Sequence, residues 1–281
     1  MKRLRGEETR ELGPCPAFSA ARHLVLDEKL RQGWMGDYDA RPVATIPLAE
    51  GRAWVRPVRA ASLTTVVVTA LSYGVPAAHA ASAVGVAFLV ATYLLTLRSD
   101  DPDAARRYGL SLGGLFDPEP IDVLRLVRSA VAEVGVALAV VAVVFPPFVL
   151  GFKWWWAPAH GFHAAPLSSF ADEALGQMLV IALPEEAFYR GYLQTSLDEA
   201  WAPRIRVLGA TLGPSVLVTS AIFALGHLAT EVNPNRLSVF FPSLLFGWLR
   251  TRRGGIGASA TFHALCNLFA SYLAQSYGVG A

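Results

Sequence analysis

The residues best able to do chemistry in this chain lie in its last hundred positions, inside otherwise apolar stretches. They are Glu185 and Glu186 with Arg190, then His227, then His263 with Asn267. Ionisable groups at membrane depth are expensive, by about 3 kcal/mol for each charge at the bilayer centre on insertion scales. A chain that keeps three such clusters in greasy helices does so mainly when they face one another and act together. Glu186 and Arg190 are four apart, so on a helix they share a face and can pair. Glu185 projects about 100° away. One carboxylate is thus neutralised and the other is left for a different partner. A buried carboxylate facing a histidine makes a general-base pair able to activate water, and His227 supplies the imidazole. Gly226 beside it permits close helix approach. His263 and Asn267 share a helical face, and two aligned donors suit an oxyanion hole. Peptide hydrolysis needs both a water activator and an anion stabiliser.

The other reactive residue types carry blander readings. His79 sits near a membrane face, and His160 and His163 fall in a polar loop, so all three are expected at the interface. Glu133 lies just inside an apolar stretch, where snorkelling to the surface is the expectation. Trp154-Trp155-Trp156 reads as an interfacial aromatic belt. Cys266 points about 100° off the His263–Asn267 face, which argues against a thiol protease. Cys15 and Cys266 cannot build a disulfide framework and have no metal-ligand spacing.

These residues need a membrane to sit in, and the composition provides one. Of 281 residues, 53% are hydrophobic and only 16% charged, where a soluble domain carries about a quarter charged. The expected fold is all-α: a polytopic transmembrane helix bundle of about seven spans, with the site among the later ones. Residues 1–58 read as a polar, partly disordered cytosolic extension with a short amphipathic helix near Ala20–Arg31; Met35 is an alternative start. The beginning Met1-Lys2-Arg3 continues polar, unlike a signal peptide, so the first span is expected to act as the membrane signal. Residues 59–128 read as two spans, Ala61–Ala78 and Ala81–Leu97, and a cytosolic loop with a surface helix starting near Pro120. Residues 129–281 read as the membrane-embedded core. Its spans are Ser129–Phe152 (kinked at Pro146-Pro147), Asp172–Gln194, Val207–Thr230, Leu237–Leu249 and Ile256–Tyr272.

Arginines cluster before span one, between spans two and three, after span four and after span six, whereas the alternate loops hold Lys153 and Arg236. This asymmetry predicts a cytosolic N-terminus and an outside C-terminus. Ala, Val, Leu, Gly and Arg dominate with few Lys, a composition of GC-rich bacterial genomes, so a bacterial cytoplasmic membrane is the expected location. No Lys/Arg run suggests nucleic acid. One tension follows from these boundaries: His227 falls late in span five and His263 early in span seven, at different depths. A start of span five near Gly213-Pro214 narrows the gap.

Glu185-Glu186-x-x-x-Arg190, Phe223-x-x-x-His227 and His263-x-x-x-Asn267, in this order on separate apolar stretches, resemble the three motifs of the CAAX prenyl endopeptidase and bacteriocin-processing (CPBP, or Abi) family. The resemblance covers about Asp172 to Tyr272. It implies an intramembrane glutamic endopeptidase in which Glu185 and His227 activate water, His263 and Asn267 stabilise the oxyanion, and Glu186 and Arg190 support the site. Relatives were once described as metalloproteases. Two His and two Glu could bind zinc, but no His-Glu-x-x-His arrangement is present, and a mechanism without a metal or other cofactor is expected. The implied partners are the lipid bilayer and a membrane-anchored protein or peptide, cut near a C-terminal segment as by sorting proteases such as the myxosortases. Two other classes compete. A non-catalytic immunity or peptide-binding protein would tolerate loss of Glu185 or His227. A transporter would show polar residues along a path and an internal repeat, and neither is evident.

Overall fold

The computed structural model describes residues 52–166, 168 and 170–279, all within the unit Val43–Ala281. Cys15 and the helix expected near Ala20–Arg31 lie outside the described residues. Helix α1 (Val55–Gly74) ends where Val75 turns extended ahead of Pro76, as the residue before a proline must. Helix α2 (Ala77–Thr92) continues as a π-helical turn, Tyr93–Leu97. One helical turn, α3 (Ala104–Arg107), lies in the polar loop. There Arg106 bonds Glu119 and Asp117, and the bond from Arg106 holds the Glu119 carboxyl below its usual range.

Helix α4 spans Val123–Trp156, and the Asp122 carboxylate caps it by accepting from the N–H groups of Leu124 and Arg125. At 34 residues it is about 50 Å long, more than the hydrocarbon core of about 30 Å. The expected surface helix near Pro120 is therefore no separate element: it forms the first turns of α4. The helix continues through Pro146-Pro147.

The next rod, α5, alternates between helix types. It is α-helical over Phe170–Leu175, π-helical over Gly176–Ala182, α-helical over Leu183–Glu186, π-helical over Ala187–Gln194 and α-helical over Thr195–Ala200. Where span five was expected to begin, the chain instead makes a hairpin, so the fold is not purely helical. Strand β1 (Ile205–Val207) pairs antiparallel with β2 (Ala210–Leu212). Its two turn residues, Leu208 and Gly209, both have positive φ, the twist that two-residue hairpin loops favour. Helix α6 (Pro214–Thr230) then starts with proline in its first turn. A 3-10 turn, Pro234–Val239, leads into α7 (Phe240–Arg253), and α8 (Gly257–Tyr277) closes the chain.

Side-chain pairs fix how the helices run. Leu183–Gln194 of α5 lies against α2, α6 and α7 around a core of Phe88, Phe188, Tyr189, Phe223, Phe246 and Phe262. The arginine-rich loops meet at one end: Arg107 pairs with Glu199, Arg250 donates to Thr195, and Trp248 donates to the Val207 carbonyl. At the opposite end His163 N–H bonds the Ser276 carbonyl, and Phe162 packs edge-on against Tyr277.

Glu133 corrects an expectation. It does not snorkel: it pairs with Arg253 at 2.8 Å and accepts from Ala258 N–H at 3.0 Å. A carboxylate there answers the positive N-terminal end of α8. It thereby fixes where the helix carrying His263 begins.

The outer face is apolar, with Leu63, Val143 and Leu150 among its most exposed side chains. Among the described residues two helices are long and apolar enough to cross a membrane, Ala77–Leu97 and Val123–Trp156, and Pro214–Thr230 is a shorter apolar one. Small residues let α2 and α5 touch. A Cβ placed on Gly85 would overlap the Val180 carbonyl oxygen, a backbone atom that cannot rotate away. Gly85→Ala is expected to force the helices apart and cost about 1–3 kcal/mol. A thermal melt in detergent checks this; an unchanged midpoint would show that the two helices slide freely.

Candidate active site

Five of the six singled-out residues converge. Glu185 and Glu186 sit in the short α-helical stretch of α5 between its two π segments. Glu186 and Arg190 are fully buried, with Arg190 NH1 3.0 Å from Glu186 Oε1. Arg190 NH2 also donates to the Ser243 carbonyl at 3.1 Å and to Ser243 Oγ at 2.6 Å. The guanidinium lies over the Phe223 and Phe246 rings, 4.7 and 5.1 Å from their centroids. This cation is thus held by a carboxylate, two oxygens of α7 and two ring faces, all dry, where such contacts are strongest.

Glu185 faces the other way, as helical geometry requires. Its Oε2 lies 4.0 Å from His227 Nε2 and 3.8 Å from His263 Nε2, and this oxygen has no hydrogen-bond partner among the described residues. These gaps exceed direct hydrogen bonds.

The imidazoles are oriented from behind. His227 Nδ1 lies 3.0 Å from the Phe223 carbonyl. A carbonyl only accepts, so Nδ1 carries the hydrogen and the neutral ring turns the lone pair of Nε2 toward Glu185. His263 Nδ1 lies 3.1 Å from Glu186 Oε1, and its ring stacks on Phe246 at 4.6 Å. Gly226 has the role expected of it: a Cβ there would come within 3.1 Å of the Tyr189 hydroxyl.

Asn267, the sixth residue, is held elsewhere. One turn beyond His263, its Nδ2 donates to Gln177 Oε1 at 2.9 Å. Gln177 was not singled out from sequence, and neither were Ser243, Gln194 and Thr251. Gln194 donates to the Gly247 carbonyl at 3.1 Å and to Thr251 Oγ1 at 3.0 Å. A signal did exist for that ladder: Arg190 and Gln194 repeat at four, as do Ser243, Gly247 and Thr251. Cys266 packs against the apolar core.

The tension over depth resolves through helix length. His227 and His263 meet the same carboxylate oxygen, so they lie at one level. Helix α6 ends three residues past His227, about 5 Å further on, whereas α8 continues from His263 to Tyr277, about 21 Å. The α6–α7 turn, with its Glu231–Arg236 ion pair at 3.0 Å, therefore stops near the level of the site. Beyond it α5 and α8 stand without cover from α6 or α7, and the cluster lies at the floor of a one-sided cleft.

Among the described residues no group of three or more His, Cys, Asp or Glu side chains is arranged to hold a metal ion. Glu186 is already committed to Arg190 and His263.

Fold and site together define an integral membrane helical bundle that gathers two carboxylates and two imidazoles from three helices at its centre. Residues 168–269 match the family model described as Rce1-like: Type II CAAX prenyl endopeptidase Rce1-like. The matched segment runs from the start of α5 into α8 and carries all six residues; over this segment the chain is similar to the CAAX-type membrane endopeptidases. No curated protein and no solved structure matches the chain.

Proposed function

We propose that the protein is an intramembrane glutamic endopeptidase that hydrolyses a peptide bond near a membrane-associated, C-terminal segment of its substrate. The observation that carries this reading is the Glu185 oxygen, buried, without a hydrogen-bond partner among the described residues, and flanked by two imidazole nitrogens at 4.0 and 3.8 Å. A water held there is polarised by Glu185 with help from the lone pair of His227. Glu185 takes one water proton as the hydroxyl adds to the scissile carbonyl carbon. For His263 to donate to the resulting oxyanion, its Nε2 must carry a hydrogen while Nδ1–H serves Glu186. The C–N bond breaks as Glu185 returns its proton to the leaving amine, giving an acid and an amine. In this reading the second N–H of Asn267, the one not given to Gln177, adds a donor near the oxyanion, and no metal takes part.

The same reading makes the protein a bundle of seven spans in a bacterial cytoplasmic membrane. The arginine-rich end lies in the cytosol by loop charge. The cleft then opens on the outer side, and a polypeptide anchored there reaches the site without crossing the bilayer.

The test uses detergent-purified protein and a peptide library. Each member carries an apolar tail of about 20 residues behind a varied polar segment. Cleavage at one bond is expected from the native protein and in the presence of a chelator. His227→Ala is expected to cut about 10²-fold more slowly. Equal rates for the two proteins would remove His227 from the chemistry, and binding without cleavage would mark a peptide-binding protein instead.

A further inference from the structure

The Gln177–Asn267 pair lies outside the water-activating cluster, in the half of the cleft that α6 and α7 do not cover. Its position on α5 is set by the π-helical stretch. Nine residues separate Gln177 from Glu186. In a pure α-helix that is two and a half turns, which would put them on opposite faces. Here Glu186 meets His263 and Gln177 meets Asn267, and those two partners share one face of α8. Gln177 and Glu186 therefore share a face of α5. The wider turns of Gly176–Ala182, closed by i→i+5 bonds, supply the rotation.

The chemistry of the pair is specific. Asn267 Nδ2 donates to Gln177 Oε1, which leaves the Gln177 amine and the Asn267 carbonyl. Turning both amides over leaves the Gln177 carbonyl and the Asn267 amine instead. Either way N–H groups and carbonyl lone pairs remain on both amides, because each NH2 carries two hydrogens and each carbonyl two lone pairs, and these can meet the C=O and N–H of a peptide unit. Both side chains are only part-buried, and a Cβ placed on the adjacent Gly176 meets nothing within 4 Å.

We propose that Gln177, paired with Asn267, is a further substrate-binding residue that docks one main-chain peptide unit on the outer side of the bond to be cut. The inference rests on the endopeptidase reading for its substrate class, a membrane-anchored polypeptide held by backbone rather than by side chain.

Binding and cleavage are measured separately. Affinities for library peptides are read by fluorescence anisotropy on Glu185→Gln protein, with and without Gln177→Met, an apolar replacement of similar size. Gln177→Met is expected to weaken binding about tenfold, the worth of one hydrogen bond to a buried partner. Backbone N-methylation along the best peptide supplies the second measurement. One position is expected to weaken binding to protein with Gln177 and to have no further effect once Gln177 is Met. If every N-methyl position weakens both forms equally, or no library peptide binds, the docking inference is overturned. Cleavage by the native protein is scored on its own, so its absence counts against the protease reading while the anisotropy result still decides Gln177.

Discussion

Replacing Glu185 by Gln is expected to lower the rate of peptide cleavage by about 10³-fold, within the usual contribution of a positioned general base. The folded state should not suffer. Glu185 Oε2 makes no hydrogen bond among the described residues, so the amide gives up only a charge, and the neighbouring imidazoles keep their bonds to Phe223 and Glu186. Gln is close in size to Glu and still reaches the gap between His227 and His263, but it has no carboxylate to accept a proton. Single-turnover cleavage with a matched thermal melt measures both quantities. A slow enzyme with a native midpoint is the expected pair of results. Undiminished cleavage would take Glu185 out of the mechanism whatever the melt shows.

The largest effect on stability is expected at Arg190. Changing it to Met leaves Glu186 fully buried with its cation gone, and strips Ser243 of its donor. Removing one partner of a buried ion pair costs about 3–5 kcal/mol, because the remaining charge is uncompensated. A domain's whole margin is of order 5–15 kcal/mol, so this variant should melt far below the native protein or fail to accumulate in the membrane. The signature is non-additivity. Glu186→Gln together with Arg190→Met removes both charges at once and should melt above Arg190→Met alone. If the single variant melts within a degree or two of native, the pair is solvated and the dry site described above is wrong.

These two expectations draw on different parts of the chain's legibility. That Glu186 pairs with Arg190 while Glu185 turns elsewhere was readable from a spacing of four and an angle of 100°, since both residues lie on one helix and local geometry decides their directions. The apolar stretches and the asymmetry of the arginines were readable for a similar reason: they are sums over local composition. Glu133 was misread because its partners, Arg253 and the start of α8, are more than a hundred residues away and leave no local mark. The start of span five was misread because Val207–Leu212 is apolar enough to pass for helix. Only the pairing of Ile205–Val207 with Ala210–Leu212 makes it a hairpin.

By itself, then, the sequence determined the polar residue types, their order, and their pairing along single helices, because a helix repeats at a fixed angle whatever surrounds it. Tertiary structure decided the level at which the three helices meet, the shortness of α6 and α7 that leaves the cleft open on one side, and the π-helical turns that bring Gln177 onto the face of Glu186. Those depend on how neighbouring helices pack, and a regular period cannot encode its own interruption.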